Sequence, residues 1–288
     1  MRELQILRPE TVDEAAGLLR EHGWEAKLIA GGTALVLMYT QGLIRPKYLV
    51  SLERVEGLKG IHYEPGNGLR LGALTRHRDV EQSPLVREKI PVLANVFHKV
   101  ANVRIRNQAT VGGVLAEADY ASDPPAVLMG LRARVTAVGP DGQRTIPVAD
   151  LIRGFYETSL APDEIITEVI VPEPPNGSHA AYLKYVSRSS EDRPCVGVAA
   201  FIENGDGDRC RALRVVVGAT TSTPQRFPDV ESAAEGQSLS EALMQEIASA
   251  YADAIDPISD MRGSAWYRKQ VIAALIPRAI KEAQGVNR

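Results

Sequence analysis

Ala109–Asp123 reads ATVGGVLAEADYASD, and an earlier stretch, Lys27–Leu35, echoes it as KLIAGGTAL. Each sets a Gly-Gly pair beside a threonine, directly after or within an apolar, strand-like run. In the earlier stretch Leu28–Ala30 has the character of a buried strand and Gly31-Gly32 of a turn, with Thr33 capping an apolar helix that reaches Tyr39. Glycines let a backbone approach a ligand closely. The unpaired N–H groups of a helix start favour an anion. Two such turns facing one another predict a pyrophosphate site. The pairs alone prove little, because 24 glycines in 288 residues give about two adjacent pairs at random. Neither stretch is a G-x-G-x-x-G fingerprint or a phosphate loop closed by G-K-[ST]. Their meaning depends on their surroundings.

Upstream, Leu4–Leu7 predicts a strand, and Thr11 caps a helix through His22, with Glu14 completing a capping box and Gly23 stopping it. Lys47–Leu52 predicts another strand. Strands alternating with helices over the first fifty-odd residues predict a small α/β unit with some parallel pairing. From Gly60 the pattern becomes hairpin-like: Gly60–Tyr63 and Leu69–Gly72 flank EPGNG, and Arg134–Val138 and Arg144–Pro147 flank GPDGQ. Between them Thr75 opens a short helical stretch and Pro91–Val100 has helical spacing. Asp123 stands as N-cap before Pro124-Pro125 and the apolar AVLMGL. Glu164–Val171 is a strand, closed by the linker PEPPNG. Beyond it, Ala181–Val186, Val196–Glu203 and Arg211–Gly218 predict an antiparallel meander. The remainder is helical: Val230–Glu235, Ser240–Ala254, and Ala265–Ala283 interrupted at Pro277.

Composition narrows the chemistry. A net charge of −3 offers no field for nucleic acid, and no apolar run reaches membrane-spanning length. The start, MRELQILRPE, lacks the apolar core of a secretory signal, so a cytoplasmic location is expected. Cys195 and Cys210 fall short of the four thiolates of an iron–sulfur cluster and read as free thiols of a reducing compartment. Five histidines without ligand spacing predict no metal in this chain. Glu117, Asp119 and Asp123 have no nucleophile or metal set beside them, which excludes a hydrolase.

AGGTAL (Ala30–Leu35), the spacer VANVRIRNQATVGG, its continuation EADYASDPPAV, and then GFYETSLAPDEIITEVIVP, KYVSRSSEDRPCVGVAAF and RGSAWYRKQVIAAL occur here in order. In these segments the chain resembles the FAD-binding medium subunits of molybdenum hydroxylases, the group that includes the carbon monoxide dehydrogenase medium subunit and the flavin domain of xanthine dehydrogenase. The resemblance covers essentially the whole chain. It implies an α+β architecture: a two-subdomain FAD-binding fold of the vanillyl-alcohol-oxidase (PCMH) type, then a C-terminal domain of a three-stranded antiparallel sheet and a helical bundle. The corresponding boundaries are 1–175 for the FAD-binding domain (1–57 small α/β, 58–175 larger and mostly antiparallel) and 176–288 for the C-terminal domain. It further implies an electron-transfer role. Electrons from a molybdopterin-binding large subunit would pass through two [2Fe-2S] clusters of a small subunit to FAD here and on to an external acceptor. The assembly would be a dimer of heterotrimers, with no catalytic acid or base on this chain because the flavin carries the redox chemistry.

The same resemblance assigns cofactor contacts. Lys27, Leu28, Ile29, Ala30, Gly31, Gly32, Thr33, Ala34 and Leu35 form the first motif, and Ala109, Thr110, Val111, Gly112, Gly113 and Val114 the second. Ala101, Ile105, Ala109 and Ile166 match apolar positions lining flavin or adenine. Ser122 and Asp123 match the segment at the cofactor's sugar, and Lys184 a cationic contact. Three positions depart from the pattern. Val114 stands where Asn or Asp is usual. Glu117 brings a negative charge towards a pyrophosphate, so that either it points away or a cation such as Lys184 compensates. Arg193-Pro194, in the loop Ser189–Pro194, replaces an aromatic residue that some relatives place over the flavin ring. Arg104 and Arg106 are open to two readings, a phosphate or partner contact and, more usually for such residues, a solvated face. Two other functions compete: a self-sufficient FAD-dependent oxidase, and a scaffold that has lost FAD.

Overall fold

The computed structural model describes residues 4–205, 207 and 209–285. The chain divides into two compact units, each assembled from separated stretches. The first takes residues up to Val80, Asn102–Ala118 and Ala133–Pro172; the second takes Glu81–Ala101, Asp119–Arg132 and the residues from Glu173 on.

In the first unit, β1 (Gln5–Leu7), β2 (Ala26–Ile29) and β3 (Tyr48–Ser51) form a wholly parallel sheet of order β1-β3-β2, with Leu28 opposite Val50 and Ile6 opposite Leu49. The crossover helix Val12–His22 is set by its caps. Thr11 Oγ1 accepts from the Glu14 N–H, and Gly23 ends the helix at φ +52°. The Glu14 carboxylate accepts from Glu10 N–H rather than from Thr11, so the predicted box closes one residue early. Ala15, Ala16 and Leu19 are buried with Val50, Leu52, Leu58, Leu74 and Ile165, which joins this small sheet to a second one. That second sheet is antiparallel, of order β4-β5-β10-β6-β7. Its strands are β4 (Ile61–Glu64), β5 (Gly68–Gly72), β6 (Arg134–Gly139), β7 (Gly142–Pro147) and β10 (Ile165–Val171). A short hairpin, β8 (Ile152–Gly154) with β9 (Glu157–Thr158), precedes β10. Thr33 does not cap the helix that follows β2. That helix is Leu35–Thr40, with Ala34 at the cap position and no side-chain bond. Val36 N–H already donates to Gly32 C=O, so Thr33 lies inside a hydrogen-bonded turn and cannot be its extended first residue.

The second unit has three layers. Its sheet, order β11-β12-β13, consists of β11 (Ser178–Tyr185), β12 (Val196–Asn204) and β13 (Cys210–Gly218), all antiparallel as the meander predicts. Val196, Val198, Ala200 and Ile202 point to one face and share a core with Tyr251, Ile272, Ile276 and Ile280 from the helices Glu241–Ala254 and Ala265–Gln284. The opposite face carries Gly197, Ala199 and Phe201. The helices Pro91–His98 and Pro124–Gly130 cover it, at such close range that a Cβ on Gly130 would stand 1.9 Å from the Phe201 ring. Pro277 does not interrupt the last helix. Ile272, Ile276, Ala279, Ile280 and Ala283 bury one continuous face across it, and that burial offsets the lost backbone bond. Cys195 and Cys210 are both free and buried.

Candidate functional site

The two glycine motifs meet in the first unit. A Cβ on Gly31 would lie 1.9 Å from Gln108 O and 3.2 Å from Ala109 Cα, so only glycine lets the first loop touch the backbone that leads into the second. Gly32 follows at φ +71°, in the left-handed region. Among the described residues no acceptor takes the N–H groups of Gly31, Gly32, Thr33, Ala34 or Leu35. A run of successive uncommitted backbone donors around a left-handed glycine is the pattern that suits an anion. The uncommitted donors of the first motif lie in a loop, not at the start of a long helix.

The second motif differs from expectation. The helix Val111–Glu117 has Thr110 as N-cap, and its first-turn donors are all committed: Val111 N–H to Thr75 C=O, Gly112 N–H to Ala73 C=O, Gly113 N–H to Thr110 Oγ1, and Val114 N–H to Thr110 C=O. The unpaired amides predicted at Gly112-Gly113 are therefore absent. Gly112 is required by contact with Ala73, whose Cβ would stand 2.7 Å from an added methyl. What the motif retains for a ligand is the Thr110 hydroxyl proton, since its oxygen already accepts. His77, buried behind it, donates Nε2–H to Thr110 C=O at 3.1 Å. Burial pushes the imidazole down to about 4, against the pull of that carbonyl. Arg106 also disfavours a charged His77, and it is buried, not the solvated residue the sequence suggests; Arg104 is exposed.

Of the other first-unit positions, Lys27 and Ala30 are exposed, Leu28 and Ile29 half-buried, Ala109 and Ile166 buried, and Ile105 partly exposed. Val114 and Glu117 are half-buried on the second-motif helix. Ala101, Ser122, Asp123 and Lys184 belong to the second unit. There the expected N-cap role of the Asp123 side chain is not realised. Its oxygens accept instead from Tyr182 OH at 2.7 Å and from Lys184 Nζ at 3.0 Å, and Lys184 also donates to Lys99 C=O. Both ionic side chains are about 95% buried. Burial raises the Asp123 carboxyl above its usual range, opposed by Lys184 and Tyr182. Lys184 thus answers Asp123. Tyr182 escapes a motif search, yet it lies two residues before Lys184 and so on the same strand face. Its hydroxyl passes where a Gly197 Cβ would stand, 2.4 Å away. Arg193 forms an ion pair at 2.6 Å with buried Asp119, tying the loop before β12 to the segment after the second motif.

The chain belongs to the family described as the FAD binding domain in molybdopterin dehydrogenase, whose model matches residues 2–174, and residues 181–283 match the CO dehydrogenase flavoprotein C-terminal domain. It is thereby a member of a family of oxidoreductase subunits. Among individual proteins it is similar to the nicotine 6-hydroxylase medium subunit of Paenarthrobacter nicotinovorans, 36% identical over 280 residues and 97% of both chains. It is 35% identical, over 95% of this chain and 92% of the other, to the 6-hydroxypseudooxynicotine dehydrogenase complex subunit alpha of the same organism. Its fold matches a chain of the carbon monoxide dehydrogenase of Hydrogenophaga pseudoflava with a TM-score of 0.94, 30% identity and 98% coverage of each chain.

Proposed function

We propose that this chain is the FAD-binding, electron-transfer subunit of a heteromeric molybdenum hydroxylase. The carrying observation is the run of five uncommitted amides at Gly31–Leu35, locked against Gln108 by a glycine that no other residue can replace. Pyrophosphate oxygens would accept from these amides and from the Thr110 hydroxyl. The first unit's pairing of a small parallel sheet with a mostly antiparallel one supports a vanillyl-alcohol-oxidase type of FAD-binding fold. Bound FAD supplies two-electron acceptance and onward transfer; the residues here hold it and need move no proton. Ala109 and Ile166 offer apolar contact to its rings, and in the second unit the Asp123–Lys184 pair fixes the start of the Pro124–Gly130 helix against β11.

The electrons would come from two [2Fe-2S] clusters on a small partner and, before them, from a molybdopterin site on a large one, the three chains forming a dimer of heterotrimers. Relatives named as medium subunits or medium chains support such partners, and one matched structure is titled for the molybdenum cofactor of its complex. The relatives' names range over nicotine, glyceraldehyde, carbon monoxide and caffeine, which fits a substrate chosen on another chain. Expressed alone, the chain should bind FAD without oxidising purines, aldehydes, N-heterocycles or carbon monoxide. With its neighbours it should co-purify in equal amounts. Substrate oxidation by the isolated chain would instead establish a self-sufficient oxidase.

A further inference from the structure

Asparagine is followed by glycine at three places, Asn67-Gly68, Asn176-Gly177 and Asn204-Gly205. Such a pair can modify itself. The glycine amide nitrogen attacks the asparagine Cγ, ammonia leaves, and a succinimide ring closes; water then opens the ring. Glycine permits the approach because it has no Cβ to obstruct it. Closure needs a glycine N–H free of any acceptor, an asparagine side chain free to turn, and a backbone free to rotate about the asparagine Cα–C bond. Regular structure withholds these by requiring local opening first. At Asn67 the side-chain Nδ2 donates to Glu64 Oε2 at 3.4 Å and the backbone N–H donates to Glu64 C=O. Gly68 is buried there as the first residue of β5, opposite Glu64. At Asn204 the nucleophile is committed, because Gly205 N–H donates to Arg209 C=O at 2.9 Å. Asn204 itself is the last residue of β12, paired with Cys210.

Asn176 differs on every count. Among the described residues nothing bonds its side chain and no acceptor takes the Gly177 N–H, and both residues are exposed. They are the central pair of a turn closed by one bond, Ser178 N–H to Pro175 C=O at 3.0 Å, with Gly177 at φ +75°. A turn of this kind leaves the amide between its central residues unused. The pair lies between β10, which ends at Val171, and β11, which begins at Ser178, so rotation there breaks no strand pairing. We propose that Asn176 is a self-modifying site, converted by the chain's own Gly177 amide to aspartate and isoaspartate. The Gly177 N–Cγ bond forms as the amide proton passes to solvent, and the Cγ–Nδ2 bond breaks as the departing nitrogen takes up a proton. Water adding at Cγ gives aspartate. Water adding at the backbone carbonyl gives isoaspartate, which routes the main chain through Cβ and lengthens it by one methylene. Either product adds a negative charge to a stretch that already holds Glu173.

The test is incubation of the purified full chain in water enriched in heavy oxygen, at neutral and at mildly alkaline pH, followed by digestion in ordinary water and peptide mass spectrometry. Label acquired during incubation is thereby separated from deamidation during digestion. The expected result is one heavy oxygen at residue 176, in aspartate and isoaspartate forms resolved by chromatography, at a rate that rises with pH. Asn67 and Asn204 should convert at least about tenfold more slowly, a factor equivalent to ~1.4 kcal/mol of local opening. In urea the three rates should converge, because the fold and not the dipeptide sets the difference. Asn176→Gln, whose side chain would have to close a larger ring, should take up no label at that position. An Asn176 that stays unlabelled, or that converts no faster than Asn67 and Asn204 in the folded chain, overturns the proposal. So does a preference for Asn176 that persists undiminished in urea, since the turn would then not be its cause.

Discussion

Gly31→Ala is the sharpest test of the loop geometry. The added methyl would sit 1.9 Å from Gln108 O and 2.7 Å from Gln108 C, both backbone atoms that cannot rotate aside. Carbon contacts are comfortable near ~3.5 Å, so the two segments must separate by roughly 1.5 Å. Overpacking of this kind costs about 1–3 kcal/mol, and a backbone-on-backbone clash belongs at the upper end. Gly32→Ala is the matched control. Its methyl meets only the Ile29 and Val36 side chains at 3.3 Å, and its cost is the left-handed φ, about 1 kcal/mol. Urea unfolding of the FAD-free chains should therefore place Gly31→Ala ~2 kcal/mol below Gly32→Ala. FAD titration should show the larger loss of affinity for Gly31→Ala, because separation from Gln108 reorients the donor amides. Equal stability, or undiminished FAD binding by Gly31→Ala, would refute the reasoning that this contact builds the site.

Asp123→Ala should destabilise by about 3–5 kcal/mol in chemical denaturation, well beyond the ~1 kcal/mol of a lost cap, because it strands a buried ammonium; Asp123→Leu with Lys184→Met should recover most of the loss. His77 gives a pH signature. Its unfolded imidazole takes a proton below about 6.5 and its folded one only below about 4, so the unfolded state holds more protons in between and stability falls as pH is lowered. By pH 5 this amounts to ~2 kcal/mol, and the part of the pH 7.5-to-5 difference due to His77 should vanish in His77→Gln. Thr110→Val should lose about 1 kcal/mol of helix capping and weaken FAD binding, whereas Thr110→Ser keeps both; equal FAD affinity for the two variants would remove the hydroxyl from the site.

Period and punctuation made the strands, both hairpins and the C-terminal meander legible, because EPGNG, GPDGQ and PEPPNG mark their ends without tertiary help. Period could not reveal that Pro91–His98 and Pro124–Gly130 join the second unit, since nothing local in an apolar helix names the sheet it covers. The cofactor motifs were legible as residues but not as hydrogen bonds. Gly112-Gly113 looks like Gly31-Gly32 on paper, yet the Ala73 carbonyl, nearly forty residues earlier, takes the Gly112 amide and the Thr110 hydroxyl oxygen takes that of Gly113. Thr33 and Asp123 failed as caps for the same kind of reason. A nearby turn claimed the first, and a lysine and a tyrosine sixty residues away claimed the second. Arg106 reads as a surface residue because burial of a cation leaves no trace in its own neighbours.

The visible absorption spectrum of the purified chain, taken before and after acid precipitation, tests the central claim most directly. Flavin bands are expected in the native protein, with a colourless pellet and one FAD per chain in the supernatant. A chain that stays colourless after purification in the presence of excess FAD would contradict it, and colour retained in the pellet would contradict non-covalent binding through the Gly31–Leu35 loop.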